Sequence, residues 1–369
     1  MNNAIRNWQT NWAAKGKKIF GPLIRRQNIT AALDIGAGEI KFVSLDRDDP
    51  IATVIRYPMP EEALEGPLEE AVLTEILAQL VSDNGLTGTE VISFLDRDLV
   101  ITRHVKLPKM RPSDLQQAIL AEAANVAPQP LEELVVRHTV LGTEQRDHEQ
   151  LVEVLFAAAP RDVIYSYYAL LSRCGLVLTV LDLPAIALWR LYREELAVVG
   201  GITAILDVGA AGTILVLARE ERLLFTRTLP VGGSLLVRSI ADAYGVNLAE
   251  ASRLLEHNSR VLSDRELPAA SPAARQMDIA LRNGLSELAR EFRRSLEFYL
   301  AGNNGEEQLT GLILTGGTGK LPGFDLFLSE ALGIPVQIIK PAVLEFSEPA
   351  VFDPSLAVAC GLALREARR

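Results

Sequence analysis

Residues 204–217 read Ala-Ile-Leu-Asp-Val-Gly-Ala-Ala-Gly-Thr-Ile-Leu-Val-Leu, and this stretch decides the fold. An apolar run leads to one carboxylate, Asp207, turns through small residues and leaves as a second apolar run. Short apolar runs bounded by glycine are typical of buried strands joined by a tight turn. The pattern therefore predicts a hairpin with Asp207 at the end of a buried strand. Its small turn residues either let a phosphate approach the main chain closely or form an ordinary glycine turn.

A second copy of this pattern stands earlier, where residues 32–45 read Ala-Leu-Asp-Ile-Gly-Ala-Gly-Glu-Ile-Lys-Phe-Val-Ser-Leu. Residues 33–37 match residues 206–210 in type and order. A repeat separated by most of a domain's length suggests a duplicated domain facing its copy, because solenoid periods are much shorter. Two facing hairpins offer Asp34 and Asp207 to one ligand between them. This suits a polyphosphate with Mg²⁺, an ion that prefers carboxylates and retained waters.

A third small-residue stretch covers residues 312–323, which read Leu-Ile-Leu-Thr-Gly-Gly-Thr-Gly-Lys-Leu-Pro-Gly. It is again an apolar strand followed by glycines, and the pattern predicts a helix over residues 324–332. Such a junction directs backbone N–H groups and the helix dipole toward an anionic or polar ligand. Taken alone, it is also a common connection between a strand and a helix.

The composition limits the classes of function. A chain of 369 residues holds about two or three domain-sized units, and 49% hydrophobic residues suffice for their cores. The formal net charge of −10 argues against nucleic acid as the main partner, since phosphate contacts need clustered lysines and arginines. Cys174 and Cys360 each stand in apolar sequence, which predicts two buried thiols and no disulfide. The four histidines lack metal-ligand spacing, so no zinc site is predicted.

The first 28 residues differ from the rest of the chain. They carry six basic residues and no acidic one, so residues 29–369 sum to a formal charge of −16. Ile5, Trp8 and Trp12 fall on one face at helical spacing. The apolar core of a signal peptide is missing. The segment is either a basic amphipathic arm that contacts a membrane surface or a partner, or a flexible basic tail.

The order of predicted strands and helices divides the chain. The β-β-β-α-β order of the first globular part is similar to a ribonuclease-H-like half, and a separate α+β unit follows before the second hairpin. This unit is either a docking platform or a structural addition. The predicted divisions are the basic arm (1–28), the first half of the duplication (29–97), the inserted α+β subdomain (98–181), a connecting helix (182–200), the second half with a short helical subdomain (201–340), and a closing helix that returns to the first half (341–369).

Three glycine loops in this order resemble the ATPase fold of actin, Hsp70 and sugar kinases. The resemblance implies an α/β protein of two duplicated ribonuclease-H-like domains that binds ATP and Mg²⁺. Residue by residue, it implies a first phosphate loop with Asp34, Gly36, Gly38 and Lys41, a second with Asp207, Gly209 and Thr213, an adenosine loop with Gly316, Gly317 and Thr318, and a ribose–adenine pair in Glu291 and Arg294. Asp34 and Asp207 would hold Mg²⁺ through water, and Lys41 would meet a phosphate.

Within this superfamily, the place of the inserted unit resembles FtsA and the type IV pilus assembly family PilM rather than actin. Residues 294–299 (Arg-Ser-Leu-Glu-Phe-Tyr) and 357–365 (Ala-Val-Ala-Cys-Gly-Leu-Ala-Leu-Arg) are most similar to the PilM family. No C-terminal amphipathic membrane helix like that of FtsA is expected. The resemblance implies a cytoplasmic protein, peripheral at the inner membrane, that binds the N-terminal cytoplasmic peptide of PilN and works with other pilus platform proteins. Membrane contact through residues 1–28 and a homo-oligomer stay open.

Some residues depart from the ATPase pattern. Ala37 stands where a phosphate-binding Ser or Thr is common, and Ala210 removes another polar side chain. Residues 183–189 contain no Glu or Gln to orient the attacking water. General-base assistance contributes roughly 10²–10⁴-fold to such reactions. We therefore expect ATP binding with slow or negligible turnover.

Two other functions fit the same fold. One is an FtsA-like polymerising protein of cell division or the cytomatrix. The other is a small-molecule kinase, which needs a catalytic aspartate near its substrate pocket. Residues 231–234 after the second hairpin (Val-Gly-Gly-Ser) contain none, so the kinase is the weaker alternative.

Overall fold

The computed structural model describes residues 29–46, 51–64, 66, 68–146, 149–198, 200–301, 308–346 and 352–367. The predicted basic arm, residues 1–28, lies outside the described residues. Within the described ranges, no helix combines the length and the apolar character needed to cross a membrane.

Up to residue 181 the chain alternates short apolar strands with amphipathic helices. The elements are β1 (Ile29–Ile35), β2 (Glu39–Asp46), β3 (Ile51–Pro58), α1 (Glu70–Asp83), β4 (Glu90–Ser93), β5 (Ile101–Pro108), α2 (Pro112–Val126), β6 (Leu134–Arg146), β7 (Glu149–Pro160), α3 (Arg161–Arg173) and β8 (Val177–Leu181).

The rest of the chain repeats the opening hairpin and adds longer helices. The elements are α4 (Pro184–Leu191), α5 (Arg193–Val198), β9 (Ile202–Val208), β10 (Thr213–Arg219), β11 (Arg222–Leu229), α6 (Gly233–Tyr244), α7 (Leu248–Asn258), α8 (Pro272–Ala301), β12 (Leu309–Thr315), α9 (Phe324–Leu332), β13 (Val336–Gln337), β14 (Glu345–Phe346) and α10 (Ala357–Ala367). The predicted connecting helix is two helices, since Tyr192 ends α4.

The strands form two large sheets built around the two hairpins. A six-stranded sheet has the order β14-β3-β2-β1-β4-β8, and a five-stranded sheet has the order β11-β10-β9-β12-β13. In each, the first strand of the hairpin pairs antiparallel with its partner and parallel with a later strand, β4 or β12. The duplication predicted from residues 32–45 and 204–217 is therefore present in the topology.

The predicted insertion, residues 98–181, extends too far at its C-terminal end. Strands β5, β7 and β6 form a separate three-stranded sheet, and α2 covers it through a small core that includes Ile119 and Phe156. In contrast, β8 pairs in parallel with β4 of the first large sheet, and α3 lies against α1. Residues 161–181 thus belong to the first half. The strand that β8 pairs with precedes the insertion, so local sequence did not indicate this assignment.

Helices α4 and α10 pack together in an apolar core shared by both large sheets. A Cβ atom at Gly361 would lie 2.1 Å from the carbonyl oxygen of Ala187, so the helices meet backbone to backbone. Arg190 donates to the Gly361 carbonyl at 2.6 Å. Arg190 and Arg365 both pair with the buried Asp182 carboxylate at 2.9 Å. The crossing is therefore fixed by close packing and by charge.

Candidate functional site

The first hairpin buries a carboxylate against a lysine. Asp34 ends the apolar strand β1 and is only 5% exposed. Lys41 lies opposite it in the β1–β2 register, and its Nζ atom is 3.0 Å from Asp34 Oδ2. Burial by itself lowers the pKa of Lys41, but the carboxylates of Asp34 and Glu39 outweigh burial and raise it. The lysine is therefore charged and neutralises the aspartate.

The first turn is held by backbone bonds. Gly36 N–H donates to the Glu39 carbonyl at 3.1 Å, and Met59 N–H donates to the Gly38 carbonyl at 3.0 Å. A Cβ atom at Gly38 would meet nothing within 4 Å. The turn thus presents little side-chain bulk beside Asp34, as a close phosphate contact requires.

The second hairpin brings its own carboxylate to the same cleft. Asp207 ends β9 and is 9% exposed, and the residue opposite it in the β9–β10 register is Ile214. Burial raises the pKa of Asp207 to about 7, with Lys41 acting to lower it and Asp34 to raise it further. The charges of Asp34 and Lys41 thus act on Asp207, as is expected of two hairpins that face each other.

The second turn is supported by the start of α6. Gly233 N–H donates to the Gly209 carbonyl at 2.9 Å, and Ser234 N–H donates to the Ala210 carbonyl at 2.8 Å. A Cβ atom at Gly232 would lie 2.6 Å from Gly209 O, so the chain can pass there only as glycine.

Thr213, a predicted nucleotide ligand, has a structural contact. Its side chain is fully buried, and its hydroxyl donates to the Val231 carbonyl at 2.6 Å. The side chain therefore fixes the segment that leads into α6, whereas the resemblance implied a contact with phosphate.

The third loop interlocks with the second. Gly316 adopts φ +89°, and its N–H donates to the Pro354 carbonyl at 3.1 Å. The Thr315 hydroxyl donates to the same carbonyl at 2.9 Å, and the Thr318 hydroxyl donates to the Gly209 carbonyl at 3.3 Å. Gly316 and Thr318 thus shape the cleft, and Gly317 lies between them.

The predicted ribose–adenine pair lies on α8, farther along the helix than the residues that line the space beneath the third loop. Leu288 of α8 still lines a small space beneath the third loop, but the helix then runs toward β11, where Phe298 contacts Phe225 at 6.2 Å. Arg294 lies about 9 Å beyond Leu288 along the axis. Its guanidinium is 72% exposed and 3.6 Å from Glu291. Glu291 and Arg294 thus contact each other on α8, and their role at the ribose and adenine stays a prediction.

Sequence reasoning missed a polar cluster beside the first and third loops, here named the interloop network. Arg56 of β3 lies at its centre. It pairs with Glu39 at 2.6 Å and Asp353 at 2.5 Å, and donates to the Ser355 hydroxyl at 2.7 Å. Lys320 also pairs with Asp353, at 3.1 Å. Arg56 and Asp353 are 297 positions apart, so no local pattern indicated their contact.

The charges of the interloop network hold one another ionised. The hydrogen bonds that Arg56 donates to Glu39 raise the pKa of Arg56 despite the opposing effect of burial. Burial raises the pKa of Asp353, but hydrogen bonds from Arg56 and Ser355 lower it well below its usual range. The network is therefore a set of fixed charges at neutral pH.

The carboxylates at the strand ends suit a magnesium ion that takes most of its ligands from phosphates and waters rather than from the protein. Asp34 and Asp207 are the carboxylates at the strand ends. Among the residues that the structure describes, no group of three or more His, Cys, Asp or Glu side chains could hold a metal by itself. Mg²⁺ is commonly bound by one or two carboxylates together with phosphates and waters, so the two aspartates suit a metal that arrives with a polyphosphate.

A groove of about 460 Å³ lies at the far end of β10 from Thr213, between the insertion and the second sheet. Here named the insertion groove, it is lined by residues 139–141 of β6, residues 219–223, and Ile186 and Trp189 of α4. Val140 is 50% exposed. The buried indole N–H of Trp189 finds no hydrogen-bond acceptor in the described structure. An extended segment with an apolar side chain would cover the exposed Val140.

The insertion is anchored firmly beside this groove. Thr226 N–H of β11 donates to His104 Nε2 of β5 at 3.1 Å, and the His104 ring lies 5.6 Å from that of Phe225. Burial lowers the pKa of His104 to about 4, so the ring is neutral and accepts this bond. Arg222 of β11 pairs with Glu153 of β7.

Comparison with known proteins gives one family and a common fold. The family model described as type IV pilus assembly protein PilM matches residues 32–367. A solved structure of the PilM–PilN type IV pilus biogenesis complex is similar at 27% identity, with a TM-score of 0.74, over 92% of this chain and 99% of that chain.

Two more distant structures share only the fold. The ethanolamine utilization protein EutJ from Carboxydothermus hydrogenoformans is 14% identical (TM-score 0.51), over 94% of this chain and 92% of that one. MreB5 of Spiroplasma citri bound to AMPPNP is 10% identical (TM-score 0.52), over 92% and 96%. These similarities confirm the predicted actin-like ATPase fold.

Proposed function

Because the chain belongs to the type IV pilus assembly protein PilM family, we propose that it is an ATP-binding adaptor of the pilus assembly platform at the cytoplasmic face of the inner membrane. It binds ATP with Mg²⁺, takes up the N-terminal cytoplasmic peptide of a PilN-like membrane protein, and contacts other platform proteins. The observation that carries the nucleotide part is the meeting of Asp34, Lys41 and Asp207 between two glycine turns.

In this proposal each loop has a separate task. Asp34 and Asp207 hold Mg²⁺ through water, Lys41 contacts a phosphate, and the turns that contain Gly38 and Gly209 take the phosphate chain. Gly317 lies against the adenosine. The open space at Gly38 supports the phosphate contact, and the raised pKa of Asp207 supports the need for a cation beside it. Bound Mg²⁺ would supply charge neutralisation for the phosphates and both carboxylates.

Hydrolysis is slow or absent in this proposal. The segment where a water-orienting residue is expected, residues 183–189, forms the start of α4 and carries no Glu or Gln. Ala187 and Leu188 of this helix are buried in the core between the sheets. Without a residue to position the water, the nucleotide would act as a bound ligand rather than as a substrate.

The partner peptide binds in the insertion groove. The similarity to the PilM–PilN complex at 27% identity supports a PilN-like partner. The exposed Val140 supports an extended peptide at this place, because β6 is an edge strand of its sheet and extended peptides pair with edge strands.

Calorimetric titration with ATP tests the nucleotide site. The wild type should bind ATP in the presence of Mg²⁺, and Asp207→Ala should weaken that binding by at least about tenfold, since it removes one of two carboxylates near the metal. The exposed Asp264→Ala is the matched control. Equal affinities in Asp207→Ala and wild type would contradict the nucleotide site, and rapid phosphate release without a partner would contradict slow hydrolysis.

Fluorescence anisotropy with a labelled N-terminal peptide of a PilN-like protein tests the groove. Val140→Glu should weaken peptide binding by about tenfold or more, because it places a charge on the apolar contact. Ile279→Glu, at a residue that is 61% exposed on α8, is the control. If Val140→Glu binds like the wild type while Ile279→Glu does not, the peptide lies elsewhere.

A further inference from the structure

The interloop network connects two loops of the nucleotide cleft that lie in different halves of the chain. Glu39 directly follows the first turn, and Lys320 directly follows the third loop. Between them, Arg56 contacts Glu39, Asp353 and Ser355. The segment of Asp353 is in turn attached to the third loop by Lys320 and by the Pro354 carbonyl.

We propose that Arg56 is a positioning residue that holds the first turn and the third loop together, and that breaking its bonds limits the release of the bound nucleotide. This inference rests on the proposed function. A nucleotide that spans the cleft contacts the first turn at its phosphates and the third loop at its adenosine, so it leaves when these two loops separate. The network, which also contains a direct hydrogen bond from the Ser355 hydroxyl to Glu39 at 3.2 Å, is a polar connection that opens as the loops separate.

The geometry at Arg56 requires a guanidinium. Its Nε atom donates to one Glu39 oxygen at 2.8 Å and its Nη2 atom to the other at 2.6 Å, while Nη1 reaches Asp353 at 2.5 Å. A planar fork makes such paired bonds, whereas an ammonium makes only point contacts. Arg56→Lys keeps the positive charge and loses the paired hydrogen bonds, so it separates the contribution of charge from that of hydrogen-bond geometry.

The same residues are open enough to respond to salt. The side chains of Arg56, Glu39 and Asp353 are 36%, 24% and 23% exposed. Ion pairs in such positions are screened as ionic strength rises. Nucleotide release from the wild type should therefore become faster at high salt, and release from a variant without the network should respond much less.

Stopped-flow chase of a fluorescent ATP analogue measures the release rate directly. Arg56→Gln should release nucleotide about tenfold faster, with an association rate changed by less than about threefold. Arg56 joins two loops of the protein, so the variant removes no contact with the incoming nucleotide, and most such affinity changes lie in the dissociation rate. Arg56→Lys should fall between wild type and Arg56→Gln. Raising NaCl from about 0.05 to 0.5 M should reduce the difference in release rate between the wild type and Arg56→Gln. Arg260→Gln, which breaks an exposed pair with Glu266, is the matched control and should release at the wild-type rate.

Lys320→Gln provides a second variant if Arg56→Gln does not fold, since it removes only the outer, 42% exposed contact with Asp353. It should accelerate release by about threefold, as expected for one partly screened pair. Wild-type release rates in the folded variants, or equal acceleration by Arg260→Gln, would overturn the role of Arg56 while leaving nucleotide binding intact. Absence of ATP binding by the wild type would instead overturn the proposed function and this inference together.

Discussion

In the first hairpin the residue opposite the aspartate is Lys41, and in the second it is Ile214. The two hairpins otherwise match in strand direction, in the position of the acid and in their small turn residues. Asp34 has a cation of its own at 3.0 Å. Asp207 has none opposite it in the register, and burial raises its pKa to about 7.

The two glycine turns also differ in how closely other atoms pack against them. A Cβ atom at Gly38 in the first turn would meet no other atom within 4 Å. In the second turn, the carbonyls accept hydrogen bonds from the N–H groups of Gly233 and Ser234 at the start of α6. One hairpin is thus balanced in charge and has open space beside its turn, and the other is unbalanced in charge and closely packed at its turn. A bound cation would complete the second hairpin, which makes Asp207 the more ligand-dependent of the two acids.

The largest expected effect is the loss of the first hairpin's own cation. Lys41→Ala leaves Asp34 buried without a partner and should lower the free energy of unfolding by about 3–5 kcal/mol, the usual result of removing one partner of a buried pair. Urea denaturation measures it. Lys106→Ala, at a more exposed pair with Glu144, should cost below about 1 kcal/mol.

If the Lys41 and Lys106 variants lost equal stability, the conclusion that Lys41 neutralises a buried Asp34 would be wrong. A double variant with Asp34→Asn and Lys41→Met should recover part of the loss, because it removes both buried charges at once.

The second expected effect is a pH dependence that belongs to Asp207. Its pKa is raised from 3.8 to about 7 on folding, so between about pH 4 and 7 the folded chain binds more protons than the unfolded chain. Stability from this group is therefore present at low pH and lost as pH rises toward 7, by roughly 2–4 kcal/mol. Asp207→Asn should remove this slope in the ligand-free protein and be more stable than wild type at pH 8.

Urea denaturation between pH 4.5 and 8 checks this slope. The matched change Asp34→Asn should instead destabilise at pH 8, because it leaves Lys41 without its carboxylate. Parallel pH profiles for Asp207→Asn and the wild type would show that the second hairpin is as well balanced in charge as the first.

A third, smaller effect tests the support of the turns. Gly232→Ala pushes a methyl group to within 2.6 Å of Gly209 O and should cost about 1–3 kcal/mol. Gly38→Ala meets open space and should change stability by less than about 0.5 kcal/mol. Thermal melting of both variants gives the comparison, and equal melting temperatures would mean that the second turn yields as easily as the first.

The smallest expected effect concerns the residue before Ile214. Thr213 corresponds in register to Ile40 of the first hairpin, and Thr213→Val makes the two alike while removing the bond to the Val231 carbonyl. The loss should be about 1 kcal/mol, measured by urea denaturation. The exposed Thr228→Val is the control, and a loss no larger than that of Thr228→Val would show that the Thr213 hydroxyl does not support α6.

The parts of the fold that sequence predicted are those with local causes. Both hairpins follow from apolar runs, glycines and one acid within 14 residues each, and α9 begins and ends as predicted at Phe324 and Leu332. The boundary of the insertion was wrong because β8 depends on a strand that precedes the insertion. No local pattern carries that information.

The candidate site divides in the same way. Asp34, Lys41 and Asp207 come together because each stands at a strand end fixed by its own hairpin. Glu291 and Arg294 contact each other on α8 as their spacing predicts, and their role at the ribose and adenine stays a prediction. The interloop network joins residues of different halves, so only the assembled chain shows it.

The contact between Gly361 and Ala187 fixes the point at which α4 and α10 cross. Helices that touch at the main chain leave no side-chain layer in which one could slide along the other. Any change in the separation of the two halves is therefore expected as a rotation about this point. Strand β10 extends from the second glycine turn at Thr213 to the insertion groove at Arg219, so such a rotation would move both of its ends together.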